Sequence, residues 1–227
     1  MTQHVLFIAT NAAVIGPRNR KTGYFFPEIA HPFEVLDGAG IAVEFASPAG
    51  GWTPYDAYDE KDPAQKAFFE SKAFRRLNRS RRLSEVDAAD YDAILVPGGL
   101  GPMVDIQHNA HVQQAIVRAW TTGKLVTAVC HGPCALLGVN LGDGKPFVEG
   151  KKLTSFSKAE EYDYAREDVP YELEDALRAE GANYSSAANW QPHVVVDGRL
   201  ITGQNPASAG ELGKKLLAVL RDVAASK

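Results

Sequence analysis

Short apolar runs rich in β-branched residues alternate along this chain with longer stretches in which apolar positions recur at helical spacing. Runs of the first kind are typical of buried strands, and they occur at residues 4–9, 41–46, 93–96, 125–129, 152–156, 194–196 and 200–202. Helices are predicted for residues 27–38, 64–69, 109–122, 170–181 and about 208–223. The alternation predicts a doubly wound α/β fold, with a mostly parallel sheet sandwiched by helices.

Composition sets the outer limits of the interpretation. The 227 residues, of which 45% are hydrophobic, can bury a substantial core as a single domain spanning residues 1–227. A formal net charge of −4 gives no electrostatic basis for binding nucleic acid or an anionic membrane. Residues 1–12 lack the basic and apolar regions of a secretory signal, and no apolar run approaches the ~20 residues of a membrane span. We therefore expect a soluble, cytoplasmic protein.

The apolar run that begins at Leu125 stops abruptly at Cys130 and is followed by small residues that predict a helix. A cysteine at the tip of a strand–turn–helix is the cysteine version of a nucleophile elbow. The N-terminus of the helix would favour the thiolate, and the amide of His131 would face an oxyanion. The alternative is that Cys130 is a small buried apolar residue, as many free cysteines are. That alternative is the one we prefer for Cys134, one helical turn further on.

The loop after the strand at 93–96 reads Pro97-Gly-Gly99 and would share a sheet edge with Cys130. Glycines at that edge permit close backbone approach and leave amide groups free. No glycine-rich phosphate loop or dinucleotide fingerprint occurs, so no cofactor is predicted. His108 and His111 lie three residues apart, but no cysteine or carboxylate has ligand spacing to them, so no metal site is predicted either.

Residues 47–89 form the least regular part of the sequence and include a charge-rich stretch at 75–82. This segment carries apolar surface that must be covered, in the aromatic residues Trp52, Tyr55, Tyr58, Phe68, Phe69 and Phe74. An insertion of this kind on a compact sheet predicts a lid over the site or a dimer surface.

A catalytic histidine needs an acceptor that orients its ring, and the loop after residue 156 offers Glu160 and Glu161. Taken alone, these acidic residues would be part of an ordinary solvated loop. Glu28 lies at the start of the first predicted helix, where its simplest role is to complement the helix dipole. Beside a thiolate, however, its carboxyl group would have a raised pKa and could move protons near neutral pH.

Four stretches of the sequence together resemble the ThiJ/PfpI superfamily, which has a flavodoxin-like, class I glutamine amidotransferase-like fold. They are Ala128-Val-Cys-His-Gly-Pro133, Pro97-Gly-Gly99, Glu28-Ile-Ala-His-Pro32 and Thr202-Gly-Gln-Asn-Pro-Ala-Ser208. The resemblance covers nearly the whole chain and is strongest to the branch of heat-shock chaperones that are also glutathione-independent glyoxalases. It implies a homodimer and a role for each matching residue.

The resemblance implies that Cys130 is the nucleophile, His131 its triad histidine and Glu161 the third member, with Glu160 as the alternative. It implies that Glu28 contacts the cysteine and that the amides of Gly99 and His131 form the oxyanion side of the site. One position departs from the pattern. Relatives commonly carry histidine where this chain has Leu100, which predicts a more apolar pocket wall there.

The function implied is a cofactor-free enzyme that converts a small 2-oxoaldehyde, such as methylglyoxal, into a 2-hydroxy acid such as D-lactate. The Cys130 thiolate would form a hemithioacetal, and Glu28 or His131 would move the proton from C1 to C2. Three alternatives remain open at this level. They are a cysteine amidase or peptidase, a stress-response chaperone or protein deglycase, and a redox sensor based on oxidation of Cys130.

Overall fold

The computed structural model describes residues 3–225 of the chain. Its strands are β1 (His4–Ile8), β2 (Val14–Ile15), β3 (Arg20–Lys21), β4 (Tyr24–Phe25), β5 (Ala42–Ser47), β6 (Tyr55–Asp56), β7 (Arg81–Arg82), β8 (Ala93–Val96), β9 (Leu125–Val129), β10 (Lys152–Leu153), β11 (Asn183–Tyr184), β12 (Val194–Asp197) and β13 (Leu200–Gly203). Its α-helices are α1 (Pro27–Gly38), α2 (Pro63–Glu70), α3 (Lys72–Leu77), α4 (Pro102–Asp105), α5 (Ala110–Thr121), α6 (Lys158–Tyr164), α7 (Leu173–Ala179) and α8 (Ala209–Ala225).

The central sheet has the strand order β12-β13-β9-β8-β1-β5-β7 across the described residues. All neighbouring strands are parallel except β12 and β13, which form an antiparallel hairpin at one edge. The strand order reverses direction on either side of β1, as expected when crossover helices cover both faces of a parallel sheet. The predicted doubly wound, mostly parallel α/β fold is therefore confirmed.

Side chains alternate between the two faces of the sheet along every long strand. In β1, Val5 and Phe7 pack on one face with apolar residues of α1 and α8, whereas Leu6 and Ile8 pack on the other face with those of α5. Because both faces are buried, the strands read as continuous apolar runs rather than as alternating ones. This explains why the strands could be predicted from short apolar runs in the sequence.

Helix α1 has the bounds that the sequence predicts, because Pro27 fits the first turn and Gly38 ends the apolar pattern. Pro32 lies inside the helix, and α1 packs along α8 at this point. A β-carbon added to Gly213 of α8 would lie 2.9 Å from the Cα of Pro32. The close crossing of these two helices therefore depends on a glycine, and it fixes the position of the helix that carries Glu28.

Two predicted elements away from Cys130 differ from the structure. Of the strand predicted at 152–156, only β10 forms, and it pairs with β11 outside the central sheet. The following residues run across the strand ends instead, where the amide of Phe156 donates to the carbonyl of Cys130 at 2.7 Å. The helix predicted from Pro170 to Gly181 is shorter, since α7 includes only the residues whose apolar face meets the core.

Residues 47–89 fold against the edge of the sheet beside β5. They contain β6, α2, α3 and β7, and they bury Phe68 and Leu77 against the face that carries α1. Phe26, which directly precedes α1, contacts the rings of Tyr55, Tyr58, Phe68, Phe69 and Phe74. The segment thus covers the start of α1, while its role as a lid or a dimer surface remains a prediction. Across residues 3–225, no helix combines the length and the apolar character needed to cross a bilayer.

We expect Gly213→Ala to destabilise the protein by about 1–3 kcal/mol, because the new methyl group would overpack the backbone of Pro32. Gly210→Ala in the same helix is the matched control, since nothing lies within 4 Å of its added β-carbon. That control should gain about 0.5 kcal/mol from helix propensity. Urea unfolding of both variants measures the difference, and equal stabilities would contradict the proposed close crossing.

Candidate active site

Cys130 lies directly after β9, at the carboxyl edge of the sheet, with a φ of 60° in the left-handed region. Its amide donates to the carbonyl of Gly203 at 2.9 Å, and this hydrogen bond helps to hold the strained residue in place. The elbow itself matches the prediction, but the helix that follows does not. Residues Gly132–Leu136 form a short 3₁₀ helix, because the chain turns away at Leu137 to enter the apolar core.

The elbow packs so closely against the loop after β8 that only glycine fits there. A β-carbon on Gly98 would lie 2.6 Å from the Cβ of Cys130 and 2.7 Å from Oε2 of Glu28. A β-carbon on Gly132 would lie 2.2 Å from the carbonyl oxygen of Val96. The Pro-Gly-Gly sequence and the glycine of the elbow therefore allow the thiol, the carboxyl group and two backbone segments to meet.

Glu28, in the first turn of α1, points its carboxyl group at Cys130. Its side chain is fully buried, and Oε2 accepts a hydrogen bond from the amide of Gly98 at 2.7 Å. Oε1 has no hydrogen-bond partner among the described residues. Burial raises the pKa of Glu28 to about 8, against the opposing effects of the Cys130 thiol and the Gly98 amide. The raised pKa predicted for Glu28 is thus present, and its main cause is loss of solvent.

The thiol of Cys130 has a raised pKa as well. Burial is the main cause, and repulsion from the Glu28 carboxylate adds to it, whereas the amides of Gly99 and His131 favour the thiolate. The expectation that a helix N-terminus would lower this pKa is therefore wrong for the resting site. A single 3₁₀ turn offers little dipole, and Cys130 as a whole is only 3% exposed to solvent. Because the pKa of each group is raised above 7, the thiol and the carboxyl group both keep their protons at neutral pH.

His131 links the sulfur to a second carboxyl group. Nδ1 lies 3.4 Å from Sγ of Cys130, and Nε2 lies 2.6 Å from Oε2 of Glu161. The ring packs on Phe156, with centroids 4.6 Å apart, and is fully buried. When Nε2–H donates to the Glu161 carboxylate, Nδ1 is left as an acceptor facing the thiol. The arrangement can therefore receive the thiol proton.

Glu160 and Glu161 are both buried, but they face different groups. Glu160 accepts hydrogen bonds from the amide and hydroxyl of Ser157, the amide of Trp190 and the side-chain amides of Gln204 and Asn205. These bonds tie together three loops at the sheet edge. Of the two candidates that the sequence left open, Glu161 is the one that contacts His131, so the geometry favours Glu161 as the third triad member. The Ser157–Glu160 spacing of a capping box was the signal that could have separated them.

Gly99 has a φ of 89°, and its amide interacts with the sulfur of Cys130 together with that of His131. Leu100, however, does not border the thiol. It packs with Ile8 and Val96 on the opposite face of the sheet from Cys130 and is 1% exposed. The prediction that Leu100 makes one pocket wall more apolar is therefore wrong, because the chain turns inward directly after Gly99.

An aromatic wall that sequence reasoning missed stands beside His131. Phe156 contacts Tyr164 and Trp190 edge-on at 5.6 Å, and the guanidinium of Arg20 lies 4.6 Å from the centre of the Tyr164 ring. These residues come from separate segments of the chain, with Arg20 in β3 and Tyr164 in α6, and they have no shared spacing in the sequence. Trp190 has a φ of 63°, and its loop is held by the hydrogen bond from the amide of Trp190 to Glu160 and by another from the side-chain amide of Asn205 to the carbonyl of Gln191.

The family model described as the DJ-1/PfpI family matches residues 26–219, which contain all of these groups except Arg20. The chain belongs to the DJ-1/PfpI family. Glyoxalase 3 of Candida albicans is 31% identical over 214 residues, which cover 88% of this chain and 90% of that relative. The glutathione-independent glyoxalase HSP31 of Saccharomyces cerevisiae is 30% identical over 218 residues, covering 89% and 91%.

The crystal structure of glyoxalase III from Candida albicans resembles this DJ-1/PfpI chain with a TM-score of 0.85 at 27% identity. The match covers 96% of this chain and 97% of that structure. The resemblance inferred from the four sequence stretches is therefore confirmed, and it extends along the whole domain.

The site of this DJ-1/PfpI domain is closed to solvent, since Glu28 and His131 are fully buried and Cys130 nearly so. Two surface grooves, of about 860 and about 750 Å³, are lined by other residues. Within residues 3–225, no three His, Cys, Asp or Glu side chains are arranged to hold a metal ion, and His108 and His111 have no third ligand. A ligand of the thiol must therefore be small and must enter by a local opening.

We expect stability to fall as the pH rises from about 5 to 8, because folded Glu28 keeps its proton to about pH 8 whereas the unfolded carboxyl loses it near 4.5. Since one pKa unit is worth about 1.4 kcal/mol, the loss is of the order of 4 kcal/mol. Glu28→Gln mimics the protonated carboxyl group and should abolish most of this dependence. Urea unfolding at several pH values tests it; parallel profiles for the two proteins would refute it.

Proposed function

We propose that this protein is a cysteine-dependent, glutathione-independent glyoxalase that converts a small 2-oxoaldehyde, such as methylglyoxal, into a 2-hydroxy acid such as D-lactate. The observation that carries the proposal is the buried Cys130 thiol, held between the Glu28 carboxyl group and the His131–Glu161 pair. The relatives named as glyoxalases, at about 30% identity over most of the chain, support the same reaction.

In the first step the sulfur of Cys130 adds to the aldehyde carbon, and the aldehyde oxygen takes up a proton to give a hemithioacetal. The thiol proton leaves to Nδ1 of His131, which adjoins the sulfur, and the aldehyde oxygen takes the proton that Glu28 holds. The amides of Gly99 and His131 face the sulfur and stabilise negative charge that develops on the adjacent oxygen. The protein's own thiol replaces glutathione as the nucleophile.

In the second step a base removes the proton from C1, and the resulting enediol is protonated at C2 to give a thioester. Glu28 is the better placed base, because its Oε1 is buried and has no hydrogen-bond partner within residues 3–225. Because Glu28 gives its proton to the aldehyde oxygen in the first step, its carboxylate is free to take the proton from C1.

In the last step water attacks the thioester, releasing the 2-hydroxy acid and restoring the thiol. His131, oriented by Glu161, is placed to take the proton of the attacking water. Exclusion of bulk water during the second step protects the enediol from side reactions. The closed site therefore suits a small aldehyde, whereas an amidase or peptidase would require an open cleft for a peptide.

The same proposal includes three further points. The protein forms a homodimer, it is cytoplasmic, and residues 47–89 serve as a lid or a dimer surface. The aromatic side chains of that segment support a covering role, since Tyr55 and Trp52 remain partly exposed at its surface. Sedimentation of the purified chain measures the oligomeric state directly.

Replacing the nucleophile tests the covalent scheme. Cys130→Ser should reduce turnover of methylglyoxal by at least about 10³-fold, because a serine hydroxyl is far less acidic and less nucleophilic than a thiol. Cys134→Ser, also buried, is the matched control and should retain activity if it folds. Chiral analysis of lactate, with glutathione-free and metal-stripped protein, is the measurement. Substantial lactate formation by the Cys130 variant would overturn the scheme.

Comparing the two neighbouring glutamates tests the roles assigned to them. Glu161→Gln should lower kcat by about 10²–10⁴-fold, since the histidine loses the carboxylate that orients it. Glu160→Gln should instead destabilise the fold by about 1–3 kcal/mol, because an amide nitrogen would face other donors. Kinetics at a temperature where both variants are folded separate the effects. An equal loss of kcat in both variants would contradict the assignment.

A further inference from the structure

The stretch from Lys72 to Arg82 concentrates positive charge in a chain whose net charge is −4. It contains six cationic residues and no acidic one: Lys72, Arg75, Arg76, Arg79, Arg81 and Arg82. All six are exposed. The glyoxalase scheme uses none of them, and none contributes to the apolar core.

The fold places four of these cations on one side of α3 and its continuation. Ala73 and Leu77 face the core, so Lys72, Arg75, Arg76 and Arg79 share the outer face at spacings of three and four residues. Together with Arg81, they line a groove of about 750 Å³ against Glu44 of β5. This volume falls within the usual range of a small-molecule site.

Most of the charge in this groove has no counter-charge. Within residues 3–225, Arg81 forms an ion pair with Glu44 at 3.5 Å, whereas the four cations of α3 and its continuation form none. Arg76 donates to the carbonyl of Val43 at 3.3 Å, which anchors its guanidinium without neutralising it. Like charges three and four residues apart on a helix repel each other, so the bare groove is electrostatically unfavourable.

We propose that this groove binds a small polyphosphate anion, a chain of two or three linked phosphates. The uncompensated charge near +4 matches a triphosphate, and arginine forks bind phosphate oxygens in pairs. From residue 72 to residue 79 the helical rise is about 10 Å, so a single phosphate would reach only part of the stripe. The chemistry is shared by inorganic tripolyphosphate and by the phosphate chain of a nucleoside triphosphate.

The test is calorimetric titration of the full chain with sodium tripolyphosphate, ATP and AMP, all at about 50 mM salt because screening weakens such contacts. We expect saturable binding of tripolyphosphate and ATP, with AMP weaker by at least about tenfold because it offers one phosphate. Equal affinity for tripolyphosphate and ATP would show that the phosphate chain alone is bound. Tighter binding of ATP would show that the nucleoside is recognised too, and both results support the proposal.

The variant Arg75→Gln/Arg79→Gln should weaken tripolyphosphate binding by at least about tenfold. Lys214→Gln/Lys215→Gln, which removes the same charge from exposed positions of α8, is the matched control and should bind normally. Methylglyoxal turnover reports that both variants are folded. The proposal is overturned if tripolyphosphate does not saturate below about 1 mM, if both variants bind equally, or if a single-stranded oligonucleotide binds while tripolyphosphate does not.

Discussion

The contact between the Glu28 carboxyl group and the Cys130 thiol governs the architecture of the whole site. Two buried acids in contact cannot both ionise readily, and the burial that brings them together raises the pKa of each. Their approach requires glycine at position 98, a strained elbow after β9 and a helix α1 held firmly against α8. Much of the fold around the carboxyl edge can therefore be understood as support for one unfavourable contact.

Glu160 and Glu161 are adjacent in the sequence but have different surroundings at the site, and therefore different roles. Glu160 has both oxygens occupied by donors from three loops, so it acts as an anchor. Glu161 makes one short bond to His131, and its Oε1 has no partner in the part of the chain that the structure describes. Which neighbour becomes structural and which becomes chemical is decided by where helix α6 begins, since its first turn sets the direction of each side chain.

Sequence patterns correctly predicted the features that are determined by residues close together in the chain. The apolar strands, the bounds of α1 and the cysteine elbow follow from burial, from Pro27 and from the small residues after Cys130. Features determined by packing between distant parts of the chain could not be predicted from these patterns. The strand expected at 152–156 crosses the sheet edge, the elbow helix shrinks to a 3₁₀ turn, and Leu100 turns to the far face. The aromatic wall of Phe156, Tyr164 and Trp190 joins distant loops, which one sequence cannot reveal.

The backbone of Cys130 has a consequence for how this activity persists through evolution. A φ of 60° costs a side-chain-bearing residue about 1–2 kcal/mol relative to its preferred conformations, and glycine would escape most of that cost. The Glu28 carboxylate also opposes ionisation of the thiol. Drift towards a more robust fold would therefore remove this cysteine first. A lineage that retains Cys130 is therefore under continued selection for the thiol-dependent activity. A descendant that lost it would keep the fold without that activity.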